Sequence, residues 1–206
     1  MDIEPGRLEC TRFLPDSYRR IWSLDLAQDR TTAIVLNLIS LPLFAVAGWL
    51  LVLVASIMRP EIASIDFIRK IPARPLVLFV EIFGLIACIM VLHEAIHGLF
   101  FWVFTRSRPV FGIKLLFAYA GAPEWYIPRN QYSIVGMAPV VMISLVGFLL
   151  IPLIPLSAAQ LLLFGMVMNA AGAVGDIYVC GRVLRLPPDV LVQDTGFVFD
   201  VYGKST

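Results

Sequence analysis

Long apolar runs alternate with short polar segments along this chain. Four runs reach about 20 residues or more, the length that an α-helix needs to cross a bilayer core of about 30 Å. They extend approximately over residues 32–58, 75–104, 133–154 and 158–180. The pattern predicts an all-α polytopic membrane protein with about four transmembrane helices. Pro42 and Pro139 lie inside two of these runs and predict kinks.

The overall composition agrees with this interpretation. Of the 206 residues, 59% are hydrophobic and 15% are charged, and the mean hydropathy is +0.85. Such a chain is too apolar for an ordinary soluble domain, so its expected surroundings are a lipid bilayer. The net charge is only +1 and the basic residues form short clusters, which argues against a nucleic-acid partner. The sequence leaves the oligomeric state open.

The distribution of Lys and Arg predicts the orientation of the chain. With four spans, the N-terminal arm, the second loop and the tail share one side of the membrane. Their basic residues are Arg7, Arg12, Arg19, Arg20, Arg30, Arg106, Arg108, Lys114, Arg129, Arg182, Arg185 and Lys204, against Arg59, Arg69, Lys70 and Arg74 in the first loop. Because basic residues favour the cytosolic side, we expect residues 1–30 to form a cytosolic arm and residues 181–206 a cytosolic tail. The arm is expected to remain on the protein rather than to be a cleaved signal. Residues 1–206 then form a single integral membrane domain.

The second run contains the sequence VLHEAIHGLFFW, in which three ionisable residues interrupt an apolar helix. Such groups are unfavourable in lipid and mark a functional site by default. His93 and His97 are spaced i, i+4, which places both imidazoles on one helix face, where they can bind one metal ion. Glu94 follows the first histidine, so its carboxylate can reach a water on that metal. This HExxH pattern predicts a catalytic zinc site.

Catalytic zinc usually has three protein ligands, so a third is required. Asp176 is the only acidic residue of the last apolar run, and it lies at about the same depth as His93 in a parallel helix. Asn169, Gly172 and Asp176 are spaced to share one face of that helix. Asp176 is therefore the expected third ligand, with Cys180 and Glu124 as alternatives.

At these residues the chain resembles known families. HEAIHG in one membrane helix, followed by Asn169 and Asp176 in a later one, is similar to the intramembrane zinc metalloproteases of the site-2 type. It resembles still more closely a small bacterial family of membrane zincin peptidases, formerly classed as a domain of unknown function. The resemblance covers approximately residues 75–180, about half of the chain.

The resemblance implies an intramembrane zinc-dependent endopeptidase of the bacterial plasma membrane that hydrolyses peptide bonds in membrane-associated or membrane-spanning substrates. Zinc would be bound by His93, His97 and Asp176, and Glu94 would be the catalytic base. A competing hypothesis is a membrane protein that binds metal without proteolysis, or a pseudo-protease that binds membrane clients. Glu94 argues against it, because a structural metal site does not need this carboxylate.

Residues 110–128, between the second and third helices, contain two runs rich in aromatic and β-branched residues around Gly121-Ala122-Pro123. They predict a β-hairpin or a re-entrant loop. An edge strand there could pair with an unwound substrate, and we name Trp125, Tyr126 and Asn169 as candidate substrate-binding residues. Trp125 and Tyr126 fit equally well as anchors at the membrane surface.

Overall fold

The computed structural model describes residues 9–64, 75–114 and 117–205. Its helices are α1 (Arg30–Met58), α2 (Pro75–Thr105), α3 (Arg129–Leu150), α4 (Leu156–Gly172) and α5 (Val174–Leu184), with a short 3-10 helix at Pro60–Ala63. Its strands are β1 (Tyr18–Asp25), β2 (Val110–Lys114), β3 (Phe117–Gly121), β4 (Ile127–Pro128), β5 (Leu191–Asp194) and β6 (Val198–Lys204). Arg7, Arg69, Lys70 and Arg74, which contribute to the predicted orientation, lie outside the described residues.

Three helices, α1, α2 and α3, are long and apolar enough to cross a membrane. Helices α4 and α5 pass the same test only as a pair, and they are bent by 46° at their junction. The described residues therefore contain three candidate spans, or four if the bent pair is one span. Large apolar side chains on α1 and α2 are exposed, among them Trp49, Ile57 and Phe83, as expected of helices that face lipid. The fold is thus compatible with a membrane protein.

The prediction of a mostly helical chain is confirmed, but the all-α prediction is wrong because the chain also forms an antiparallel sheet of order β1-β6-β5-β4. Strand β1 comes from the N-terminal arm and pairs with β6 of the tail, with Leu24 opposite Phe199. In β1, Tyr18 and Leu24 are buried, whereas Arg19 and Arg20 are exposed. Such short segments show little hydrophobic periodicity, and their partners lie at opposite ends of the sequence, so the pattern alone did not reveal the sheet.

The predicted hairpin between α2 and α3 is present, but its turn is not where the sequence suggested. Strands β2 and β3 pair in register from Val110 opposite Gly121 to Lys114 opposite Phe117. Gly121 is therefore the last residue of β3, and Gly121-Ala122-Pro123 leads out of the hairpin. The glycine and proline mark an exit from the strand, and a residue pattern does not distinguish such an exit from a hairpin turn.

The chain divides into two compact units. The first comprises Met1–Val35, Glu94–Ala138 and Gly175–Thr206. Its core is built by side chains from the four-stranded sheet, the hairpin and three helices; they include Leu24, Phe101, Ile127, Tyr132, Val135, Val179, Val192, Phe199 and Val201. This unit thus combines a β-sheet with the ends of apolar helices.

The second unit comprises Leu36–His93 and Pro139–Val174 and is helical. Small residues let its helices approach closely: a Cβ at Gly147 would overlap Met166, and one at Gly165 would lie 3.3 Å from Ile89. Arg59, beyond the end of α1, donates hydrogen bonds of 3.1 Å and 2.5 Å to the carbonyl oxygens of Ile151 and Ile154. The guanidinium thereby satisfies carbonyl groups that follow the end of α3.

Candidate metal site

Helix α2 carries both histidines and the glutamate of the HExxH sequence. His93 and His97 are four residues apart, and Glu94 and His97 are three apart, so the three side chains share one side of the helix. His97 is buried, whereas His93 and Glu94 are half-buried. The helix therefore presents two imidazoles and a carboxylate to the same region.

Each ring nitrogen of His97 has a polar neighbour. Its Nδ1 lies 3.0 Å from the carbonyl oxygen of Val135 on α3. A carbonyl only accepts hydrogen bonds, so Nδ1 carries the hydrogen and Nε2 is the ring nitrogen that could bind a metal. That Nε2 lies 3.5 Å from Oδ2 of Asp176 on α5. The orientation of the ring thus directs its metal-binding nitrogen at the predicted third ligand.

His93 is oriented in a similar way by Asn169 on α4. Its Nδ1 lies 2.8 Å from Oδ1 of Asn169, whose exposed fraction is only 3%. The Asn169 Nδ2 donates to the carbonyl oxygen of Pro139 at 3.4 Å, which identifies the Oδ1 facing His93 as the acceptor. His93 therefore donates through Nδ1, and Nε2 is the ring nitrogen that could bind a metal.

His93, His97 and Asp176 together form a group whose ligand atoms all lie within 4.8 Å of one another. Tetrahedral zinc, with ligand distances of about 2.0 to 2.2 Å, has its ligand atoms about 3.4 Å apart. The 3.5 Å between His97 and Asp176 is close to this value. Two imidazoles, one carboxylate and hydrogen bonds that fix the tautomers suit zinc. The residues present therefore fit a zinc ion.

The two alternative ligands lie elsewhere. Cys180 is buried on α5, with its Sγ 4.0 Å from the carbonyl oxygen of Ser133. Glu124 is largely exposed and lies 3.7 Å from Arg12. Within the described part of the chain, neither joins the group of potential ligands. The geometry therefore favours Asp176 over both.

Asn169 and Asp176 do not lie on one uninterrupted helix, as their spacing suggested. Helix α4 ends at Gly172 and α5 begins at Val174, with Ala173 at the break. The prediction of one continuous helix over both residues is therefore wrong. Asn169 contacts the first histidine, and Asp176 contacts the second.

The other candidate substrate-binding residues lie beside the sheet. Trp125 is half-buried and packs against the core of the first unit, with the Arg12 guanidinium 4.9 Å from its ring centroid. Tyr126 forms a β-bridge with Thr11, and its ring meets Tyr202 edge to face at 5.2 Å. Their role in binding substrate remains a prediction, as does that of Asn169.

Close packing ties the β2–β3 hairpin to its surroundings within the first unit. A Cβ at Gly98, the residue after His97, would overlap the ring of Phe111 in β2. At the other end, a Cβ at Gly121 would lie 2.7 Å from backbone atoms of Thr195 and Gly196, in the β5–β6 turn. Gly196 has φ +95°, a conformation that favours glycine. Glycine is therefore needed on both sides of the hairpin.

A buried carboxyl group, which the sequence did not single out, lies at the end of β5. The Asp194 side chain accepts hydrogen bonds from the Tyr132 hydroxyl at 3.0 Å and the Gly196 amide at 2.6 Å. Its main-chain oxygen also accepts from the Ala122 amide at 2.9 Å. Burial raises the pKa of this carboxyl from 3.8 to about 7. Through these hydrogen bonds Asp194 connects the β5–β6 turn, the start of α3 and the segment that follows β3.

The chain thus has long apolar helices, and one of them carries an HExxH sequence whose two histidines, together with Asp176, could hold a metal ion. Residues 86–191, just over half of the chain, match the family described as "Putative zincin peptidase". The chain belongs to this family, as the sequence resemblance predicted. No curated protein and no solved structure matches it.

Proposed function

We propose that this protein is an intramembrane zinc-dependent endopeptidase. The single observation that carries the proposal is the convergence of His93, His97 and Asp176, with Glu94 directly after the first ligand. Membership of a zincin peptidase family supports a metallopeptidase-like activity. Among the described residues, the group has no fourth His, Cys, Asp or Glu ligand. This favours catalytic zinc, because structural zinc is normally saturated by four protein ligands.

In the proposed mechanism, each residue has one role. His93, His97 and Asp176 would hold a zinc ion, which would act as a Lewis acid and lower the pKa of a water molecule toward neutrality. Glu94 accepts a proton from that water as its oxygen attacks the peptide carbonyl, and then returns the proton to the leaving amine. Asp176 adds a negative charge to the ligand set. Asn169 and the Val135 carbonyl hold the two imidazoles in the tautomer that binds metal.

The proposed substrates are membrane-associated or membrane-spanning peptides. The apolar helix that carries the site supports this choice, because a metal centre within such a helix is reached from the bilayer or its surface. The exposed apolar side chains of β2, Phe111 and Ile113, lie next in sequence to that helix and provide further surface for an apolar chain. We propose a multi-pass protein of the plasma membrane with both termini in the cytosol.

The experiment compares wild type with Glu94→Gln in the same cells. Membrane proteins are analysed by mass spectrometry for new N-termini, and zinc is measured on each purified protein. We expect both proteins to carry zinc and only wild type to generate new N-termini. If both carry zinc and their N-termini are identical, the peptidase proposal is wrong, and a metal-binding membrane protein or pseudo-protease becomes the better interpretation.

A further inference from the structure

Pro139 lies inside the continuous helix α3, where a proline is unfavourable. In an α-helix, the amide hydrogen of each residue binds the carbonyl oxygen four positions earlier. Proline has no amide hydrogen, so the carbonyl of the residue four positions before it lacks its usual partner. That residue is Val135. In lipid, a carbonyl freed in this way needs another donor.

A hydrogen bond from His97 to the Val135 carbonyl is the first link between Pro139 and the metal site. His97 Nδ1 lies 3.0 Å from the Val135 carbonyl oxygen, the group that the proline leaves free. Val135 is 1% exposed, so water does not compete for this oxygen. The missing amide of Pro139 thus creates the acceptor for one histidine.

The carbonyl oxygen of Pro139 provides the second link. It accepts a hydrogen bond from Asn169 Nδ2, which fixes the amide so that Oδ1 faces His93 Nδ1 at 2.8 Å. If the amide were flipped, a donor would face the histidine, and its tautomer would be wrong for binding through Nε2. One residue of α3 is therefore connected to both histidines.

We propose that Pro139 is a positioning residue for both histidines of the metal site. Its missing amide hydrogen leaves the Val135 carbonyl for His97. Its carbonyl orients Asn169, which in turn orients His93. Hydrogen-bond partners of metal ligands typically change metal affinity 10- to 100-fold when they are altered. This inference rests on the proposed function insofar as it requires the site to bind zinc.

The test measures zinc affinity by competition with a chromogenic chelator, on the full chain in detergent. Pro139→Ala restores an amide that competes for the Val135 carbonyl. We expect its zinc affinity to fall about 10-fold or more. Thermal unfolding of the zinc-free protein should occur at the same or a higher temperature, because alanine favours a helix more than proline does. A lower zinc affinity together with an unchanged or higher unfolding temperature would show that Pro139 positions the ligands. A residue with a merely structural role would lower both when it is replaced.

Two further variants complete the design. Pro42→Ala is the matched control, since Pro42 also lies inside a long apolar helix but is connected to no metal ligand by any described contact; its zinc affinity should equal that of wild type. An α-hydroxy acid at position 139, introduced by nonsense suppression, also lacks the amide hydrogen. It should restore zinc affinity to within a few-fold of wild type. Cobalt substitution gives an independent spectrum of the ligand geometry in each protein.

The outcomes separate the two proposals. If wild type binds no zinc, the proposed function fails, and the role of Pro139 fails with it. If wild type binds zinc and Pro139→Ala binds it equally well, only the role of Pro139 is wrong. The same conclusion follows if Pro42→Ala weakens binding as much, or if the α-hydroxy acid does not restore it.

Discussion

Asn169 Oδ1 accepts a hydrogen bond from His93 Nδ1 at 2.8 Å, and both residues belong to the helical second unit. Asn169→Leu keeps the branched shape of the side chain but removes the acceptor. We expect its zinc affinity to fall 10- to 100-fold, because His93 loses the partner that fixes its tautomer. Chelator competition on the purified protein measures this change.

Asn169→Asp is the matched control for this prediction. A carboxylate keeps an acceptor for His93 and loses only the donor to the Pro139 carbonyl. Its zinc affinity should stay closer to wild type than that of the leucine variant. Equal losses in the two variants would show that the hydrogen bond to His93 is not what matters at position 169.

Gly98 allows the ring of Phe111 to lie against α2 directly after the second histidine. Gly98→Ala should destabilise the protein by about 1 to 3 kcal/mol, because the new methyl group overlaps that ring. The control is Gly84→Ala on the same helix, where a Cβ meets nothing within 4 Å and alanine favours the helix. Chemical denaturation in mixed micelles compares the free energies of unfolding.

A second substitution tests the cause of that loss. Phe111→Leu shortens the side chain that the Gly98→Ala methyl group would strike. The double variant should therefore lose less stability than the sum of the two single variants, by 0.5 kcal/mol or more in a double-mutant cycle. If the losses of the two single variants simply add, the contact between position 98 and Phe111 is not the cause of the Gly98→Ala destabilisation.

The buried Asp194 carboxyl makes the stability of the first unit depend on pH. Because burial raises its pKa to about 7 in the folded protein, the folded state holds this proton more tightly than the unfolded state does. The stabilisation that comes from this tighter proton binding is fully present below pH 3.8. It is lost as the pH rises from 3.8 through about 7. From pH 5 to pH 7 the loss is on the order of 2 to 3 kcal/mol.

Asp194→Asn removes this titration while keeping the local hydrogen bonds. Its Oδ1 can accept from the Gly196 amide, and its Nδ2 can donate to the Tyr132 hydroxyl. Unfolding temperatures of the zinc-free proteins should therefore fall from pH 5 to pH 8 more for wild type than for the variant. Parallel pH profiles of the two proteins would contradict this role of Asp194.

The sequence singled out the three residues that the structure brings together as a potential metal-binding group, because the signals for them are local. The i, i+4 spacing fixes the two imidazoles on one helix face, and ionisable residues in apolar runs are rare enough to be informative. Asp176 was named as a candidate for the second reason, and its role as a ligand stays a prediction. The helix break at Ala173 was not predicted, since small residues such as Gly172 fit both a bend and close helix packing.

The remaining features depend on partners that are distant in the sequence. Strand β1 pairs with β6 near the other end of the sequence, and whether such a segment forms a strand depends largely on its neighbour in the sheet. The contact between His97 and the Val135 carbonyl involves a backbone atom, which no residue pattern identifies. In the sequence Pro139 predicts a kink, but only the fold reveals which donor reaches the Val135 carbonyl that the proline leaves without its helical partner.

The most direct test of the central claim is the zinc content of the purified protein, measured by elemental analysis. We expect about one zinc per wild-type chain and loss of most of it in Asp176→Ala, with Cys180→Ala and Glu124→Gln retaining it. If Asp176→Ala keeps its zinc, Asp176 is not the third ligand. If wild type remains free of zinc after incubation with the metal, the account of this site as a zinc centre is contradicted.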